Sequence, residues 1–214
     1  MGRWKAACLL LAMSCGLVGC GQNKTPEVSS VSIGKEGGIT HQIVGSFEQN
    51  NYQLESLETL AVDRVAEYCT DNGSDSVTLG SVEEEDGKVM ILFNYAAAQD
   101  YSQFNNREFY IGSLEEADAQ GYYLDSVAFI SADGKPTEIG DVEEWDGKQI
   151  VVVETKSGED LLVNTYGKVL YINQSATSNL DISFSGKTGA YISHPMAEEG
   201  GMDESTLSYI VFEK

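Results

Sequence analysis

The stretch Val77-Thr-Leu-Gly-Ser-Val82-Glu-Glu-Glu-Asp86-Gly87-Lys88-Val-Met-Ile-Leu-Phe-Asn-Tyr95 reads as two strands, 77–82 and 88–95, folded back on each other. Asp-Gly between apolar runs is a strong hairpin signal, because both central residues of the tight turn tolerate positive φ. Upstream lies the clearest helix of the chain. Its apolar residues Leu54, Leu57, Ala61, Val65 and Tyr68 recur at helical spacing and trace one face. Asn50 or Asn51 can cap its start, and Asn72-Gly73 can end it, with glycine free to take the left-handed conformation. Two strands, 28–33 and 38–47, precede the helix, joined at Gly37-Gly38. In the second, Ile39, His41 and Ile43 share one parity, as a half-buried strand requires. The order is therefore ββαββ.

A short helix over 97–104 and a strand over 107–111 follow. Ser113-Leu-Glu-Glu116 has capping-box spacing, with serine and glutamate each satisfying the other's free backbone N–H. That helix runs to Gln120 and stops at Gly121. From Tyr122 onward the chain reads mostly as strand: 126–130, 149–155, 161–165, 168–173, 180–184 and 207–212. Turns are expected at Asp133-Gly134 and Asp146-Gly147, and a surface loop over 194–206. The fold class is α+β, an N-terminal ββαββ-like portion with short extra helices followed by a β-rich C-terminal portion. The expected divisions are 30–120 for the α+β domain and 121–214 for the β-rich domain or subdomain. Val82-Glu-Glu-Glu-Asp-Gly-Lys88 parallels Val142-Glu-Glu-Trp-Asp-Gly-Lys148, but hairpin chemistry selects Asp-Gly locally, so coincidence explains the match better than duplication.

The first twenty residues carry an address. Arg3 and Lys5 precede a short apolar run, and residues 6–19 are too few for a helix needing roughly 20 apolar residues to span a bilayer. This is the layout of a secretory signal. The exit, Leu17-Val18-Gly19-Cys20, resembles the lipobox of bacterial lipoproteins. The resemblance implies a diacylglyceryl group on the Cys20 thiol, cleavage before it, and residues 1–19 as the signal peptide. Two acyl chains hold stably at a membrane. Residues 20–29 then form a polar tether, and the expected location is the cell membrane, facing outside the cytoplasm.

Removing Arg3 and Lys5 with the signal takes the net charge from −21 to −23. A field of that sign repels phosphate backbones, which excludes nucleic acid as an expected partner. It also repels anionic head groups, so membrane attachment rests on Cys20. Cys69 is the only thiol left besides Cys20, which excludes an internal disulfide, and it reads as a small core residue near the end of the helix.

Few chemistries remain. With only His41, His194 and Cys69 as nitrogen and sulfur ligands, no metal site is expected. Asp71-Asn-Gly-Ser-Asp75 departs from the calcium-loop pattern at its sixth and twelfth positions, Ser76 and Val82. No nucleophile elbow or phosphate loop occurs, and no cofactor is called for. Paired carboxylates of the glycosidase type are the surviving enzymatic alternative, with no catalytic residue singled out. Aromatic residues crowd the span from Phe93 to Phe129. They read as core first; as a binding surface, the candidates are Tyr101, Phe104, Tyr110, Tyr122 and Tyr123, since tyrosine-rich surfaces stack on sugars and grip peptides. A carbohydrate or protein ligand at the cell surface is the corresponding partner class.

Val31-Ser-Ile-Gly-Lys-Glu-Gly-Gly-Ile-Thr40, Asp100-Tyr-Ser-Gln-Phe-Asn105 and Gly167-Lys-Val-Leu-Tyr-Ile172 together resemble a group of uncharacterised lipoproteins from anaerobic Gram-positive bacteria. The likeness spans most of the chain after the signal. It implies the lipid address, and it implies no activity, ligand or catalytic residue.

Overall fold

The hairpin forms at Asp86-Gly87, with φ of 53° and 73° at its two central residues. It joins β3 (Val77–Glu85) to β4 (Lys88–Tyr95), and β2 (Ile39–Ser46) pairs with the far side of β4, setting His41 opposite Phe93. β1 (Ser29–Ile33) completes the antiparallel run with Val31 opposite His41. The computed structural model describes residues 26–47, 53–137, 146–174, 180–196 and 205–214. Cys20 and most of the tether, the Asn50 and Asn51 caps, most of the second Val-Glu-Glu motif and most of the 194–206 loop lie outside these.

α1 (Leu54–Asn72) lies against β3. Its apolar face is the one the spacing gave: Ala61 is buried and Leu54, Leu57, Val65 and Tyr68 are half-buried. Gly73 ends it in the left-handed region, donating its N–H to the Cys69 carbonyl. Gly80 sits at a bulge in β3, where a Cβ would come within 2.9 Å of the Leu92 side chain on β4.

α2 (Ala98–Asn105) and β5 (Phe109–Ser113) follow, then α3 (Leu114–Ala119) with the capping box formed in full. The strand expected over 126–130 begins later: Ser126 closes a 3-10 turn (Leu124–Ser126), and strand pairing starts at β6 (Phe129–Ser131). Next are β7 (Pro136–Thr137), β8 (Gln149–Lys156), β9 (Glu159–Asn164), β10 (Lys168–Asn173), β11 (Asp181–Ser185), β12 (Gly189–His194) and β13 (Ser205–Glu213). β7 and β12 were not legible as strands. His194, expected to open the loop, instead ends β12, buried and directly opposite Glu159.

Two sheets result, one ordered β11-β12-β9-β1-β2-β4-β3 and one β5-β8-β13-β10-β6-β7. Both draw strands from before and after residue 121. β1 and β9 pair in parallel, Val31 opposite Val163, so the first strand of the chain sits in the middle of the larger sheet. The sheets face each other across one core. Val31, Ile39, Val163 and Ile192 come from one side, and Val151, Val153, Ile210 and Phe212 from the other.

The smaller sheet is buried on both faces. Ile150, Val152 and Val211 point away from the main core and pack under Leu114, Ala117, Leu124 and Phe129. That accounts for the unbroken apolar run in β8, since a strand covered on both faces has no polar parity. Among the described residues, no helix is long and apolar enough to cross a membrane.

Candidate functional site

Two of the five candidate aromatic residues are core. The Tyr101 ring lies 4.5 Å from Phe109 and 5.2 Å from both His41 and Tyr95, and none of Tyr101 is exposed. Phe104 packs edge-on to Tyr68 and Tyr95, with the Arg64 guanidinium 4.6 Å above its ring. Neither presents a surface to a ligand. The cause is α2, which turns residues 101 and 104 onto the sheet together at three-residue spacing. Tyr123 is at the other extreme, 78% exposed.

Tyr110 and Tyr122 come together, ring centroids 5.2 Å apart on the outer face of the smaller sheet. Tyr110 folds its hydroxyl over Gly112, where an added Cβ would stand 2.1 Å from that oxygen. Beside Tyr122 opens a polar cleft of about 430 Å³, lined by Glu108, Gln120, Tyr122, Glu154, Ser205 and Leu207 among others. Register builds it. Phe109 pairs with Val153 and Leu207 with Glu154, so Glu108, just ahead of β5, falls in one row with Glu154 of β8 and Leu207 of β13.

Both carboxylates act as hydrogen-bond acceptors. The Tyr122 hydroxyl donates to Glu108 Oε1. Glu154 Oε2 accepts the Glu108 backbone N–H at 2.8 Å, while the Glu154 N–H returns a 3.0 Å bond to the Glu108 carbonyl. A bond from Ser205 and then the Glu108 N–H hold the Glu154 carboxyl below the usual carboxylate range. Partial burial and the bond to Glu108 push the Tyr122 hydroxyl up. The cleft therefore holds fixed negative charge beside an aromatic ring.

Glu108, Glu154 and Ser205 were not candidates from the sequence. Glu154 carried a signal, being the one charged residue in the run Gln149-Ile-Val-Val-Val-Glu-Thr155. Glu108 and Ser205 carried none, because only strand pairing brings them to Glu154.

The remaining chemistry-bearing groups lie elsewhere. Cys69 is half-buried, its thiol 3.5 Å from the Val77 carbonyl. His194 Nδ1 lies 3.2 Å from the Thr155 carbonyl, and since a carbonyl only accepts, that nitrogen carries the proton. Burial first, and the Arg107 charge second, lower the His41 pKa to about 4, so its ring is neutral near pH 7. Among the described residues, no three histidine, cysteine or acidic side chains cluster as metal ligands would. No family model, curated protein or solved structure matches the chain.

Proposed function

We propose that this chain is a lipid-anchored extracytoplasmic protein that works by binding, and that its cleft accepts the cationic side chain of a protein or peptide ligand. The observation that carries the reading is the pairing of Glu108 and Glu154 in one cleft, both pinned as acceptors, with Glu154 held ionised. Fixed acceptors beside the Tyr122 ring suit an ammonium or guanidinium group, which gains from carboxylates and from an aromatic face alike. The acidic excess of the chain steers cations toward it. The address at Cys20 and the resemblance to bacterial lipoproteins support the anchored location.

Two measurements test this. The mass of the N-terminal peptide from cell-extracted protein should be that of a diacylated Cys20; an unmodified thiol there defeats the anchor. Titration of a lysine-rich peptide into the protein, followed by amide chemical shifts, should move Glu108, Tyr122, Glu154 and Leu207 together. A neutral oligosaccharide producing the same pattern while the peptide produces none would replace the cationic ligand by a carbohydrate.

The juxtaposition of Glu108 and Glu154 also favours a second reading, hydrolysis of a glycosidic bond. Residues directly opposite on antiparallel strands have Cβ atoms about 5 Å apart, near the carboxyl separation of retaining glycosidases. Such an enzyme would lose turnover of envelope polysaccharide on Glu108→Gln or Glu154→Gln, whereas a binding protein shows no turnover to lose.

A further inference from the structure

The covering of the smaller sheet stops one row short of the cleft. On the outer face, Ile150 pairs with Val211, Val152 with Tyr209 and Glu154 with Leu207. Ile150, Val211 and Val152 are fully buried beneath residues of α3 and the 3-10 turn. Leu207 packs against the same cluster but stays half-buried, and it lines the cleft. Its neighbour in the row is Glu154, and the next is Glu108. The floor therefore runs carboxylate, carboxylate, leucine, with successive positions about 4.8 Å apart, the spacing of adjacent strands.

A bare cation uses only part of that floor. The cleft holds about 430 Å³, whereas an ammonium head is close in size to a water molecule, whose share of liquid volume is about 30 Å³. Sites that take whole small ligands or side chains run from roughly 300 to 1,000 Å³. Two side-chain types join a cationic head to an apolar stem. Lysine and arginine lay their methylenes along apolar surface while the head stays with polar partners.

We infer that Leu207 is a specificity-determining residue of the cleft, receiving the methylene stem of a lysine or arginine whose head lies at Glu108 and Glu154. The inference rests on the binding reading above and deepens it. A four-carbon stem covers about one strand spacing, so the head reaches the carboxylates while the stem lies over Leu207. The ligand's main chain then stays on the β13 side of the cleft. A short cation satisfies the carboxylates equally well but leaves the leucine wet, and it forgoes the gain from burying apolar surface.

The n-alkylammonium ions from methylammonium to butylammonium test it. They carry the same single charge and differ in stem length alone, and butylammonium is the lysine side chain itself. Dissociation constants for the purified protein are read from amide chemical shifts. Wild type should bind about two- to fourfold tighter for each added methylene, the upper figure being full burial of a CH₂ group. Leu207→Ser should flatten the series. A wild-type series without slope, or an equal slope in Leu207→Ser, overturns the inference; the binding reading survives it if Glu108→Gln/Glu154→Gln still weakens every ion. Failure of all the ions to bind, or binding indifferent to Glu108→Gln/Glu154→Gln, overturns the binding reading and this inference together. Should Leu207→Ser not fold, nuclear Overhauser contacts in the wild type decide. Contacts from the butylammonium methylenes to the Leu207 methyls support the inference, and contacts confined to other residues overturn it.

Discussion

Arg107, just ahead of β5 in the smaller sheet, and Glu159, at the start of β9 in the larger one, close an ion pair of 2.7 Å between the sheets. Their side chains are only 15% and 24% exposed, so water screens the pair less than it would at the surface. Removing one partner leaves the other charge poorly solvated. Arg107→Met should therefore destabilise the fold by about 2–3 kcal/mol, below the loss seen for fully buried pairs because both groups keep some solvent. A double-mutant cycle with Glu159→Gln in chemical denaturation should show favourable coupling; additive effects would deny the pair a structural role.

His41 gives the fold a pH dependence of definite sign. The unfolded chain takes a proton on this imidazole near pH 6.5, while the folded chain resists until about pH 4. Protonation thus favours the unfolded state. Stability should be full above about pH 6.5 and fall between there and pH 4, by about 3 kcal/mol across the window. His41→Phe should flatten that part of the profile, and a His41 ring titrating near 6.5 in the folded protein would contradict the account.

Glu154 acts with the same overall slope at lower pH. Its folded pKa is depressed by Ser205 and the Glu108 N–H, so its contribution is present above the ordinary carboxylate pKa. That contribution disappears as pH falls through the depressed value. Ser205→Ala should raise the Glu154 pKa toward the ordinary range, read from the side-chain carboxyl carbon by NMR titration. An unchanged midpoint would remove Ser205 from the site.

Gly112 tests how firmly the tyrosine pair is held. A Cβ there would meet the Tyr110 hydroxyl, so Gly112→Ala should swing Tyr110 off Tyr122 and cost about 1–3 kcal/mol, as overpacking does. Tyr110→Phe/Gly112→Ala should recover part of that loss.

Much of the fold was legible because local chemistry specified it. Asp86-Gly87 fixed a hairpin, Ser113 with Glu116 fixed a helix start, and the Leu54-to-Tyr68 spacing fixed a buried helical face. Pairing was not legible. Nothing local to Val31 or Val163 announces that they are partners, with 131 residues between them. β12 escaped notice because Gly189-Ala-Tyr-Ile-Ser-His194 is short and bounded by glycine and proline, although its neighbours bury it. The candidate site was half legible: Tyr110 and Tyr122 were among the candidates, while Tyr101 and Phe104 proved to be core. The carboxylates that define the cleft converge only through strand register.

The most direct test of the binding reading is calorimetric titration of a lysine-rich peptide into wild-type protein and into the Glu108→Gln/Glu154→Gln variant, at low and at physiological salt. Removing two charged acceptors from one cleft should weaken binding at least about tenfold, and added salt should weaken the wild type more than the variant. Equal affinities for the two proteins, or no binding by either, would contradict the assignment of the cleft as the binding site.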